Sequence, residues 1–254
     1  MIENAHFGPH DPEPVEWVRP ESQSPVLLVC EHAGQAIPTD LKGLGLPVGA
    51  IDLHIGWDIG AARLARLLSE KLDAPLVLQR YSRLVIDCNR PPGVPDSIPE
   101  TSDQLVIPGN QNLHPTACKT RRRLIFDPLD VAMAKGLELY PRKATFSVHS
   151  FTRQMQLGPR RKWDAGFLCR RDVAAAETFV DTIKKRASGL MLAINEPYQI
   201  DDQGDWFIPH HAEPNKLRHT LIEVCNDQLR SDAQISLWAD LLAISIKAVL
   251  AKTP

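Results

Sequence analysis

The apolar positions of the chain fall into short runs separated by polar turns rich in glycine and proline. Val26 to Cys30, in PVLLVCEHAG, is an unbroken apolar run of strand length, the pattern of a strand covered on both faces. From Asp58 the spacing changes to that of a helix: Ala61, Leu64, Ala65, Leu68 and Leu72 share a face, with Arg63, Arg66, Glu70 and Lys71 between them. Further strands are predicted at Leu76 to Leu78, Leu84 to Ile86, Ala144 to Val148 and Thr220 to Val224. Further helices are predicted at Ala117 to Gly136, where Pro128 must interrupt or restart the coil, at Val173 to Ala187 and at Leu229 to Leu250. Strands alternating with helices imply an α/β domain with a largely parallel sheet. Residues 1–24, rich in Pro, Glu and His without periodicity, read as an extended lead-in to a single domain over 25–254.

In such sheets functional groups gather at the carboxyl ends of the strands. Just past or at those ends stand Glu31 and His32, then Asp87, Asn89 and Arg90, then His149 and Ser150, then Glu223 and Asn226. His32 and His149 suit two positions of a zinc site, which in hydrolases takes about three imidazole or carboxylate ligands and leaves room for water. The third ligand is expected from DLHIGWD: Asp58, with Glu31, Asp52 and His54 as alternatives and helix capping as the competing role of Asp58. Glu223, in an apolar strand, is either a general base or the ion-pair partner of Arg83 or Arg90. His211, in WFIPHHAEP, is a candidate donor to a developing oxyanion. In SRLVIDCNRP, strand alternation would bring Arg83, Asp87 and Asn89 together, and with Arg90 they read as a receptor for a small anion, ion pairing with Asp87 being the alternative. Arg121 to Arg123 read as a solvated helix face, and Cys30 and Cys88 as packed thiols.

Composition narrows the function classes. With 29 Lys and Arg against 31 Asp and Glu, the net charge of −2 lacks the basic footprint of a nucleic-acid binder. Five cysteines without paired spacing do not describe a disulfide framework, so a reducing compartment is expected. No signal peptide and no apolar stretch of membrane-spanning length is read, since the last helical segment carries Asp240 and Lys247. The expectation is a cytoplasmic monomer or small homo-oligomer with no nucleic-acid or membrane partner.

Several motifs together resemble the N-formylglutamate amidohydrolase (N-formylglutamate deformylase) family. They are VCEHAGxxIP at Val29 to Pro38, DLHxGWD at Asp52 to Asp58, RLVIDCNRP at Arg83 to Pro91, FSVHSF at Phe146 to Phe151, NEPY at Asn195 to Tyr198 and IEVCND at Ile222 to Asp227. The resemblance implies kinship with zinc carboxypeptidases and aspartoacylases and a three-layer α/β/α sandwich around a mixed, mostly parallel sheet. It implies Zn2+ on His32, His149 and a carboxylate, Glu223 as base, and Arg83, Asn89 and Arg90 holding the carboxylate of a small anionic N-acyl amino acid. Asp58 is preferred as third ligand because the formylglutamate-specific members place a potential ligand beside the Trp, and because Gln35 stands where zinc carboxypeptidases have a ligating Glu. Cys225 occupies a position where those members carry Arg, which leaves a side-chain carboxylate without an evident partner and opens the choice of amino acid. N-formyl-L-glutamate is the specific expectation. A non-catalytic carboxylate-binding protein and a hydrolase using Cys30 or Cys88 as nucleophile are the competing readings.

Overall fold

The computed structural model describes residues 7–253. Seven strands form one sheet: β1 Val15–Val18, β2 Val26–Cys30, β3 Leu76–Gln79, β6 Ala144–Phe151, β7 Ala165–Leu168, β8 Leu192–Ile194 and β9 Arg218–Cys225, in the order β1-β3-β2-β6-β9-β7-β8. The chain from β3 to β2, β6 and β9 is parallel, whereas β1 joins β3 and β7 joins β9 antiparallel. β4 Thr101–Ser102 and β5 Leu105–Val106 make a separate small hairpin.

Strand alternation divides the core into two layers. Leu28, Phe146, Val148, Phe167 and Ile222 pack against helices α1 Ala61–Leu72, α4 Val173–Lys184 and α5 Asp232–Ala251. Leu27, Val29, Val77 and Leu221 pack on the opposite face against α3 Asp127–Glu138 and the loops around Leu84 to Ile86 and Phe207. The result is the expected three-layer α/β/α sandwich with a mixed, mostly parallel sheet. By length and composition alone α5 would suffice to cross a membrane, yet Ile235, Trp238, Leu242, Ile246 and Val249 are buried in the first layer.

Several expectations change. The segment expected as a lead-in contributes the edge strand β1, so the sheet begins before residue 25; residues 1–6 lie outside the described residues. Arg83 to Val85 form a turn and Ile86 follows without regular structure, so no strand runs over Leu84 to Ile86. Ser82 explains this locally: its Oγ accepts from Leu84 N at 3.1 Å and its carbonyl accepts from Val85 N at 3.0 Å, satisfying the backbone without a ladder. The carbonyls of Leu84 and Val85 are bonded by Asn110 and Arg121 side chains instead. Arg121 is therefore buried, not solvated; only Arg122 and Arg123 of that triplet are exposed. Pro128 is accommodated at the start of α3, after α2 Pro115–Arg121 and a π-helical turn, Arg122–Phe126. β7 and β8 were not predicted.

Candidate active site

His32 lies two residues past β2, and His149 sits near the end of β6 directly opposite Glu223 of β9. Asp58 joins them through its backbone N–H, which donates to the carbonyl of His32 at 3.0 Å. Asp58 is not a helix cap: α1 starts after Gly60, whose φ of 86° and approach to Leu229 only glycine tolerates, and no side chain caps it. The Asp58 carboxylate turns to the imidazoles instead.

The hydrogen-bond partner of His32 assigns its tautomer. His32 Nε2 is 2.7 Å from Asp87 Oδ1, and His149 Nε2 is 3.1 Å from Glu31 Oε2. Ionised carboxylates only accept, so His32 Nε2 carries hydrogen and its Nδ1 presents a lone pair, whereas His149 stands between two carboxylates, Glu31 at Nε2 and Asp58 at Nδ1. Those two Nδ1 atoms stand 3.1 Å apart, with Asp58 Oδ2 at 2.9 Å from His149 Nδ1 and 3.5 Å from His32 Nδ1. The three atoms converge in a buried place that suits a shared cation, a proton or a metal ion. Tetrahedral zinc ligands roughly 2.0–2.1 Å from the metal stand roughly 3.3 Å from one another, in the middle of the observed separations. The donor set, the spacing and the carboxylates behind both imidazoles fit a metal centre. Without metal a proton takes that place: burial opposes charge on His149, but Glu31 and Asp58 outweigh it and hold the imidazole well above its ordinary pKa.

Around this centre the carboxylates differ sharply. Burial opposes ionisation of Asp87, but Arg83 and His32 hold it well below the usual range. Glu223 has no such partner: burial pushes it up to about 8, helped by the charge of Asp58 and opposed by His149, Arg83 and Arg161. Its Oε2 is buried without a hydrogen bond, and Glu223 makes no ion pair with Arg83 or Arg90. A carboxyl that titrates near neutral pH opposite His149 is suited to proton transfer, and a bound dication would draw it further toward the carboxylate.

Two cavities meet here. One of about 250 Å³ opens onto His32, His149, Asn89 and Glu223. The other, about 280 Å³, opens onto Asp58, Asp87, His54 and Asp103. Arg83, Arg90, Ser150 and Tyr198 line both and form the wall between them. A larger cavity of about 510 Å³ lies between the Pro92 to Ile98 loop and α2, lined mainly by apolar atoms and sharing no lining residue with these two.

The anion-receptor residues are placed unequally. Arg83 donates to Asp87 Oδ2 at 2.6 Å and Asp58 Oδ1 at 3.3 Å, so ion pairing takes much of its capacity. Asn89 spends its oxygen on Trp206 N and Phe207 N and donates to Asp205 Oδ1, fastening the loop that closes the cavity. Arg90 donates only to the carbonyls of Asn89 and Gly204 and forms no ion pair among the described residues. His211 does not line either cavity: the π-helical turn Ile208–Ala212 directs it to α3, where its Nε2 is 2.7 Å from Asp130 Oδ1. Among the alternatives for third ligand, His54 pairs with Asp103, Asp52 accepts from Gln35, and Glu31 supports His149 from behind.

Comparison with known proteins agrees with this architecture. The model of the N-formylglutamate amidohydrolase family matches residues 24–229. The chain belongs to that family. It is similar to the gene product Atu2144 of Agrobacterium tumefaciens, with 32% identity, a TM-score of 0.90 and 96% and 98% of the two chains covered. It shares its fold with an N-formylglutamate amidohydrolase of Ralstonia eutropha JMP134, at 19% identity, a TM-score of 0.70 and coverage of 94% and 98%. No curated protein matches the chain. Membership of the N-formylglutamate amidohydrolase family makes the chain an amidohydrolase. Sequence reasoning missed the separate tasks of Glu31 and Asp87 behind the imidazoles, and also Tyr198, whose only signal was its place in NEPY.

Proposed function

We propose that the chain is a metal-dependent hydrolase of N-formyl or other N-acyl amino acids, with Zn2+ on His32, Asp58 and His149 and with N-formyl-L-glutamate as the first substrate to test. The observation that carries the metal is the convergence of His32 Nδ1, His149 Nδ1 and Asp58 Oδ2 within 4.8 Å of one another. The orphaned Glu223 carboxyl beside it supports hydrolysis over passive binding.

When bound, zinc supplies a water of lowered pKa and polarisation of the amide carbonyl. Glu223 takes the proton of the attacking water and returns it to the leaving nitrogen. Asp87 holds His32 in the tautomer that leaves Nδ1 free, and the Glu31 carboxylate stands 3.1 Å behind His149 Nε2. Arg90, without a carboxylate partner, is the principal receptor for the substrate α-carboxylate; Arg83 contributes what its two ion pairs leave, and Asn89 positions the loop and offers its remaining amide hydrogen. Cys30 and Cys88 are fully buried with thiols raised well above their ordinary pKa by burial, which argues against the nucleophilic-cysteine reading.

A panel of N-formyl and N-acetyl amino acids, followed by amine release, tests the assignment. Turnover of one or more members is expected, and its complete absence in metal-loaded protein would overturn the hydrolase reading.

A further inference from the structure

The cavity between the Pro92 to Ile98 loop and α2 takes no part in the chemistry above. At about 510 Å³ it is larger than either cavity of the candidate active site and falls within the size of small-molecule sites, roughly 300–1,000 Å³. Ile86, Val94, Ile98 and Leu113 supply its apolar lining. Its walls are stiff. Pro92 and Pro95 fix backbone angles in the loop, and Pro115 opens α2. Ser97 Oγ donates to the carbonyl of Val94 at 2.7 Å, closing the loop on itself, and the carbonyl of Ser97 accepts from Asp87 N at 2.7 Å. On the other side Arg121, at the end of α2, donates to the carbonyls of Val85 at 3.0 Å and Gly109 at 2.9 Å and to Asn110 Oδ1 at 2.7 Å. Walls fastened in this way keep the cavity open, so little ordering opposes a ligand.

Two cations stand among the lining residues. Lys119 is exposed and forms no ion pair among the described residues. Arg122, one helical turn on, gives Asp127 only its Nε, at 3.0 Å, and keeps both terminal nitrogens. Glu100 is the one carboxylate in the lining, and its Oε1 accepts from Asn112 N at 3.4 Å. An apolar hollow with two cations against one carboxylate at its margin complements a molecule that is apolar over most of its surface and carries one negative group.

We infer that this cavity is a second ligand site, separate from the candidate active site, for a small molecule with an apolar body and one anionic group, such as an aliphatic or aryl carboxylate. Lys119 is its principal counter-ion and Arg122 the second.

Octanoate is the probe, and anilinonaphthalenesulfonate, an apolar fluorophore with one negative group, is the reporter. Octanoate is expected to displace the dye from the protein, and octanol, with the same chain and no charge, to do so on the order of tenfold less well. Lys119→Glu, on an exposed position of α2, should weaken octanoate on the order of tenfold and leave octanol unchanged. Cys118 gives a readout without dye: it lines the cavity and is the one cysteine of five that is not buried. Saturating octanoate should slow its alkylation by N-ethylmaleimide on the order of tenfold, and Val94→Trp, which fills the hollow from the loop side, should abolish that protection. Octanoate that neither displaces the dye nor protects Cys118 would overturn the inference. Equal binding of octanoate and octanol, an octanoate affinity unchanged in Lys119→Glu, or protection that persists in Val94→Trp would each overturn it as well.

Discussion

Replacing Asp87 by Asn isolates the part of the centre that the geometry makes most specific. Asp87 Oδ1 faces His32 Nε2 at 2.7 Å and accepts from Asn89 N at 2.9 Å, while Oδ2 takes Arg83 at 2.6 Å. An amide of the same shape cannot reproduce this: with its oxygen toward His32, its NH2 meets the Arg83 donor, and turned over, it confronts His32 with a donor. One charge-assisted bond is lost either way. Such bonds contribute about 1.5–3 kcal/mol, and this one strengthens when positive charge arrives on the imidazole, so the loss falls mainly on metal affinity. The expected drop is about 10- to 100-fold, the range for partners of metal-bound histidines. Competition with a chromophoric chelator measures it directly. Zinc affinity within about twofold of wild type, in a folded Asp87→Asn protein, would refute the role assigned to Asp87.

Three further outcomes follow from individual groups. Glu223→Gln should retain metal and lose about 10²- to 10⁴-fold in kcat, the usual contribution of general acid-base catalysis; full activity would remove Glu223 as base. Arg90→Ala should raise KM for N-acyl amino acids by about 10- to 100-fold with a smaller effect on kcat, and an unchanged KM would exclude it as the α-carboxylate receptor. The Arg153 hydrogen bonds hold Asp227 down to about 2, below the ordinary carboxylate range. A depressed carboxyl stabilises the fold above its unfolded pKa and loses that contribution as pH falls through the folded one. The Tm difference between wild type and Asp227→Asn should therefore be present at pH 6 and vanish between about pH 4 and pH 2. A difference that persists at pH 2 would contradict it.

The regular elements were legible where apolar periodicity was long or unbroken: β2, α1 and the long strands β6 and β9 stand within a few residues of their expected places. β7 and β8 were not, because AGFL and LAI are too short to show a period. Leu84 to Ile86 misled because a short apolar run buried under side chains looks like a strand when Ser82, Asn110 and Arg121 satisfy its backbone from outside the sheet. The strand-end rule put His32, His149 and Glu223 in one neighbourhood without the structure, and the resemblance around Trp57 added Asp58. It could not separate ligand from supporter among Glu31, Asp58 and Asp87, since all are carboxylates near the same histidines and only distance distinguishes them. His211 failed for a related reason: a loop histidine carries no signal of direction, and the π-helical turn aims it at Asp130.

The central claim is that His32, Asp58 and His149 hold the metal that hydrolysis needs. Formate release from N-formyl-L-glutamate, measured on chelator-stripped protein before and after addition of one equivalent of zinc, tests it most directly. The account predicts no turnover in the stripped protein, recovery with zinc in the wild type and no recovery in His149→Ala. Equal activity before and after zinc, in protein shown to be free of metal, would contradict it.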